Sequence, residues 1–163
     1  MCTAWRKSGI DILNREIHVQ VYEDGGQFEL DPHYHLAAIN IFCKALRMAD
    51  VNGFRNEFPQ GYLDTIESMI TFYSNICFPD YSNPCFSDAK LGDKPAEINN
   101  YKDWVKIFPK NEQILWFATE GKKGKKPENL SKGFLKSGFF TFRNSWDTDA
   151  TVMVVVDFSW FVT

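Results

Sequence analysis

The sequence contains no Cys-x-x-Cys pair. Its four cysteines, Cys2, Cys43, Cys77 and Cys85, stand far apart, which argues against a zinc knuckle or a thioredoxin-like redox site. No stretch approaches the roughly 18 consecutive apolar residues of a membrane-spanning helix. A basic excess is missing too. The net charge is −3 and the pI about 5.6, not the footprint of a nucleic-acid binder. The opening residues, Met1-Cys2-Thr3-Ala4-Trp5-Arg6-Lys7, carry no apolar segment of the kind a signal peptide needs. No internal repeat and no cluster of metal ligands is visible, so no cofactor is expected of this chain.

What is present points to a folded, helix-rich chain. Its 163 residues are 44% hydrophobic and 16% aromatic, with fifteen Phe, five Trp and six Tyr. That is enough apolar material for a core, and burial is the usual role of such aromatics, although sugar-binding clefts use them too. Ile10, Leu13, Ile17 and Val21 recur at helical steps and predict a helix over 4–21. A second helix is predicted from Pro32 to Asp50, apolar nearly all round and so expected between neighbours. A third runs over 61–76, with Leu63, Ile66, Ile70 and Tyr73 in step. Two shorter ones are expected at 96–107 and 110–119. The long irregular stretch 78–96 holds three prolines, and loops of that length are often functional. Cys43 reads as a small core residue. Cys77 and Cys85 flank a proline-containing loop and could be bridged; spacing alone does not decide it.

Everything else is organised around Asp24-Gly25-Gly26-Gln27-Phe28-Glu29-Leu30-Asp31-Pro32-His33-Tyr34-His35. It is a glycine turn, a short extended piece and a helix start. Asp31 suits the N-cap, where a carboxylate accepts from free first-turn amides. Pro32 suits the first helical position. His33, Tyr34 and His35 then lie in the first turn, where the amides and the helix dipole favour negative charge. The nine residues Gln27–His35, continued by Leu36-Ala37-Ala38-Ile39, resemble the central motif of heparinase III-type lyases in the heparinase II/III group. A second stretch, Lys136-Ser137-Gly138-Phe139-Phe140-Thr141-Phe142-Arg143-Asn144-Ser145-Trp146, is similar to the opening of that family's C-terminal β-sandwich. Phe86-Ser87-Asp88 resembles a segment bordering the family's cleft.

The resemblance implies a mainly α fold: the C-terminal part of an incomplete α/α toroid over 1–130, then the first strands of a truncated β-sandwich over 131–163. It implies β-elimination on a glycosaminoglycan of the heparan sulfate type. There a base takes the C5 proton of a uronate, an acid protonates the departing O4, and the substrate carboxylate must be neutralised. Tyr34 matches the family's catalytic tyrosine; read from its residues alone, it could equally be a core tyrosine at a helix start. His35 could support Tyr34 or line the cleft, or simply pack at the helix end. Gln27 and Glu29 could bind sugar or orient Tyr34, or belong to a solvated loop. Arg143 could meet substrate anions or bridge the helical and strand regions. The family's carboxylate-neutralising asparagine falls before Met1 and its catalytic histidine beyond the last strand, so the chain by itself is expected to be inactive. For the parent protein the resemblance implies a periplasmic or secreted location. A calcium site in the parent is compatible with it, but no ligands for one are visible here.

Residues 120–133 read as a polar linker. With Lys122, Lys123, Lys125, Lys126, Lys132 and Lys136 they form the basic cluster of the chain, either a solvated face or a patch that steers sulfated polysaccharide. Beyond it, Phe140 and Phe142 alternate with their neighbours, as do Val152, Val154 and Val156, which is strand periodicity. Two strands do not make a sandwich. The apolar end 150–163, with little charge and no proline, therefore predicts self-association. Two rival readings remain: a non-catalytic carbohydrate-binding helical module, and a purely structural helical domain.

Overall fold

A computed structural model describes residues 2–157 of the chain. Helix α1 spans Cys2–Gln20, α2 Pro32–Val51, α3 Gln60–Ile76, α4 Lys94–Ile107 and α5 Glu112–Ala118, with a 3-10 turn at Arg55–Glu57. Strands β1 (Ser131–Phe134), β2 (Phe139–Arg143) and β3 (Val152–Val156) form an antiparallel sheet in that order. No described helix is long and apolar enough to cross a membrane.

The innermost helix is α3, not α2. It contacts α1, α2 and β2, and Tyr62, Ile66, Met69, Ile70, Phe72, Tyr73 and Ile76 are all buried. Helix α2 buries Ile39, Phe42, Cys43, Leu46 and Ala49 but leaves Ile41, Met48 and Val51 exposed. Its apolar residues go nearly all round, yet neighbours cover only one side of it among the described residues. Helix α4 starts earlier than its periodicity suggests, because the Asp93 carboxylate caps it at the Ala96 amide and Pro95 occupies its first turn. Cys77 and Cys85 are free thiols, the first buried and the second exposed; the bridge contemplated between them is not formed.

The sheet corrects one expectation and settles a point that alternation leaves open. Strand β1 lies at the end of the expected linker, and it pairs in register with β2, Phe134 opposite Phe139 and Ser131 opposite Phe142. With one large apolar residue among four, it carries no alternation to detect. Strand β2 alternates as expected, and the structure decides which face is inward: Phe139, Thr141 and Arg143 are buried and Phe142 is exposed. Its partners Val156, Val154 and Val152 share that inner face, and Val154 and Val156 reach the core. Phe72 of α3 joins helices to sheet, its ring centroid 4.7 Å from Phe134 and 5.2 Å from Phe139. The outer face of the sheet shows Leu135, Phe142, Met153 and Val155. The expectation for the apolar end 150–163 extends to residues 158–163, which lie outside the described residues.

Candidate active site

The glycine turn is built by close approach. Gly25 has φ +90°, and a Cβ there would lie 2.4 Å from the Ser68 carbonyl oxygen of α3. A Cβ on Gly26 would lie 2.5 Å from Ser137 Cβ. Only glycine lets the backbone pass between α3 and the β1–β2 turn. Asp24 locks this crossing. Its Oδ2 accepts from the Lys136 and Ser137 amides at 2.7 and 2.9 Å and from Ser137 Oγ at 3.2 Å, while Oδ1 accepts from the Gly26 amide. This carboxylate joins segments more than a hundred residues apart, and no local pattern marks it.

The chain then turns into α2. Leu30 takes a left-handed φ of +54°, a conformation disfavoured for a side-chain-bearing residue, and its amide donates to the Gln27 carbonyl. Buried Asp31 caps the helix as expected: Oδ1 accepts from the His33 and Tyr34 amides at 2.8 and 3.0 Å. Its Oδ2 accepts from the Asp88 amide at 3.1 Å. One carboxylate therefore anchors both the first turn of α2 and the loop containing Phe86-Ser87-Asp88, whose Phe86 packs on Phe139.

Of the two ring-bearing neighbours, Tyr34 points out and His35 points in. Tyr34 is 48% exposed. Its ring meets His33 edge-on at 6.2 Å, and among the described residues none bonds its hydroxyl. His35 is 2% exposed. Its Nε2 lies 2.9 Å from the Met69 carbonyl, which can only accept, so Nε2 carries the proton. Nδ1 is then the acceptor for the Gln27 amide at 3.2 Å. The ring packs against Phe72 and Tyr73. Burial pushes its pKa down to about 4, so the imidazole stays neutral near pH 7 and the tautomer is fixed by its two partners.

The remaining expected site residues divide. Gln27 is buried, and its Oε1 accepts from the Glu29 amide at 3.0 Å. It shapes the turn from within. Glu29 is exposed beside it. Arg143 is buried and belongs elsewhere. Its guanidinium donates to the Asn75 carbonyl and, at 3.5 Å, to the Cys77 carbonyl, and it stacks 3.6 Å from the Trp146 ring. Those carbonyls are left over where α3 ends, and a cation there also suits the helix dipole. The contact lies roughly 9 Å further along α3 than the His35 contact at Met69, at 1.5 Å per residue. Arg143 thus ties β2 to the end of α3, the bridging role that its position between helices and strands suggests. Glu97 escapes a reading of the sequence. This residue in the first turn of α4 is buried, and burial pushes its carboxyl above the usual range, against hydrogen bonds from Asn100 and Tyr73. Among the described residues no three His, Cys, Asp or Glu side chains gather as a metal site.

A mainly helical chain that ends in a small antiparallel sheet and presents a tyrosine on a capped helix start has relatives. The family profile described as Heparinase II/III N-terminus matches residues 1–116. The chain belongs to the heparinase II/III family. It is 75% identical over 152 residues to a heparin-sulfate lyase of Bacteroides stercoris, and 49% identical over 151 residues to one of Pedobacter heparinus. Each match covers 93% of this chain and 23% of the relative, so the chain spans about a quarter of their length. A solved heparinase III gene product superposes with a TM-score of 0.91 at 74% identity, covering 94% of this chain and 24% of that one. The heparan sulfate lyase HepC from Pedobacter heparinus does so with 0.89 at 48%, with the same coverage.

Proposed function

We propose that this chain is the tyrosine-bearing segment of a polysaccharide lyase that cleaves heparan sulfate-type chains by β-elimination. A base takes the C5 proton of a uronate, the C4–O4 bond breaks, and a C4–C5 double bond forms as the leaving O4 is protonated. Tyr34 is the proton donor to O4, or the base for one uronate epimer. The observation that carries this is the placement of Tyr34: a half-exposed phenol on a backbone fixed by Asp31 below and His35 behind, in a chain closely similar to heparin-sulfate lyases. Asp31 and His35 act as positioning residues, and Gln27 holds the turn they share. Glu29, exposed on the same turn, is placed to meet sugar hydroxyls.

On this reading the five helices are the last part of an α/α toroid, and the sheet, from about residue 130, begins a β-sandwich. The parent protein is exported to the periplasm or secreted. Neutralising the uronate carboxylate and completing proton transfer require groups outside this segment, so the chain alone does not turn over substrate. The test is ultraviolet absorbance of the conjugated uronate product, with heparan sulfate. The full-length protein should lose activity on Tyr34→Phe, while the isolated chain gives no product. A full-length Tyr34→Phe variant with undiminished turnover would refute the role of Tyr34. Product from the isolated chain would refute the need for the other groups. The rival reading, a non-catalytic carbohydrate-binding module, predicts binding and no product even at full length.

A further inference from the structure

The loop that follows α3 meets the start of α2 through its backbone. Asp31 is the junction. Its Oδ1 accepts from the His33 and Tyr34 amides and its Oδ2 from the Asp88 amide, so three amides converge on one buried carboxylate. At hydrogen-bond lengths, the Tyr34 and Asp88 amide nitrogens therefore lie within about 8 Å of each other. The loop around Asp88 is held elsewhere too. The Ala89 amide donates to the Phe86 carbonyl at 3.0 Å and closes a turn. The Phe86 ring centroid is 6.0 Å from that of Phe139. Buried Asn83 donates from Nδ2 to the Lys90 carbonyl at 2.9 Å.

What this frame holds out is free. Ser87 and Asp88 are exposed, and among the described residues nothing bonds or ion-pairs with the Asp88 carboxylate. Ser87 is the second residue of the turn and has φ +55°, a conformation that favours glycine. Leu30, directly before Asp31, has φ +54°. Each of the two joined aspartates thus follows a side-chain-bearing residue in the left-handed region, a costly backbone state that clusters at functional sites. An exposed carboxylate and an exposed phenol, both on fixed backbone, form a preorganised pair of polar contacts. A carboxylate only accepts hydrogen bonds. It suits a sugar hydroxyl, and it repels a sulfate ester in the same place.

We propose that Asp88 is a further substrate-contacting, specificity-determining residue of the Tyr34 site, its carboxylate accepting from a hydroxyl of a sugar that flanks the bond Tyr34 acts on. This role rests on the lyase reading for its ligand. The test uses the full-length protein and defined heparan sulfate-type tetrasaccharides, one unsulfated and the others with a single O-sulfate at different hydroxyls beside the scissile bond. Product absorbance gives kcat/KM for each. Asp88→Ala should lower kcat/KM on the unsulfated substrate about 10–100-fold, the worth of a hydrogen bond to a charged group. Wild type should discriminate against a sulfate at the contacted hydroxyl. Asp88→Asn, which removes the charge, should shrink that discrimination about tenfold at this one position and leave the other positions unchanged. Both variants should unfold thermally like wild type, because the loop is anchored by the Asp88 amide and not by its side chain. Equal slowing on every tetrasaccharide would mark Asp88 as structural. Unchanged kcat/KM in Asp88→Ala, in a protein that Tyr34→Phe inactivates, would mark it as a bystander. Either result overturns the contact and leaves the lyase reading standing. A wild-type protein that forms no product from any tetrasaccharide would overturn the lyase reading, and the contact with it.

Discussion

Acid should weaken this fold through His35. The ring is buried, with Nε2 donating to the Met69 carbonyl and Nδ1 accepting from the Gln27 amide. A second proton on Nδ1 would set two donors against each other inside the core. In the folded chain the ring resists that proton until about pH 4, whereas its ordinary value is 6.5. Between those values the unfolded chain binds more protons than the folded one, so stability is full above pH 6.5 and falls as pH drops toward 4. The interval corresponds to about 3 kcal/mol at 1.36 kcal/mol per pH unit, a large part of the stability of a small domain. Glu97 acts with the opposite sign. Its carboxyl is held above 4.5 by burial, so it favours the folded state at low pH and loses that advantage as pH rises. The assay must therefore compare two proteins. Urea unfolding of wild type and His35→Gln, followed by tryptophan fluorescence at steps from pH 7.5 to pH 4, isolates the histidine. The variant should be less stable at pH 7, because it loses ring packing on Phe72 and Tyr73. The gap should narrow by about 3 kcal/mol on acidification. A gap that stays constant with pH would refute a neutral, internally bonded His35.

Three further outcomes follow from the same contacts. Asp24→Ala removes the clasp on Lys136 and Ser137, and loss of charge-assisted hydrogen bonds should lower stability by about 2–3 kcal/mol in urea unfolding; a change near zero would mean that the hairpin is held by Phe134 and Phe139 alone. Arg143→Ala should lower stability by about 3 kcal/mol, as expected when a buried, bonded charge is removed, whereas a residue devoted to substrate would leave thermal unfolding unchanged. The exposed outer sheet face, Leu135, Phe142, Met153 and Val155, should drive concentration-dependent self-association seen by light scattering; Phe142→Ser/Met153→Lys should reduce it, and a monodisperse wild-type monomer would contradict the expectation.

The start of α2 was legible because its determinants are adjacent in the chain. An aspartate, a proline and two glycines in the right order specify a turn, a cap and a first helical position by local sterics and hydrogen bonding. Hydrophobic steps likewise located α1, α3 and the shorter helices to within a few residues. Strand β1 was hidden because one phenylalanine in four residues has no period, and its pairing comes from a partner strand. Periodicity also found β2 without choosing its face. Alternation fixes that two faces exist, while the side chosen depends on Phe72 and on the carbonyls at the end of α3, which take in Phe139 and Arg143.

By itself the sequence determined the local conformations, the family resemblance carried by Gln27–His35 and Phe139–Trp146, and the candidacy of Tyr34. Only the tertiary structure decided which of the neighbouring rings faces solvent. It turned His35 toward Met69 and left Tyr34 at the surface, since successive helical positions differ by about 100° and the packing of α3 selects which of them is buried. It also assigned Asp24 to a hairpin over a hundred residues away and placed Arg143 in the join between sheet and helix, one of the two roles its position leaves open. Each of these depends on contacts between segments distant in the chain, which composition, spacing and periodicity do not encode.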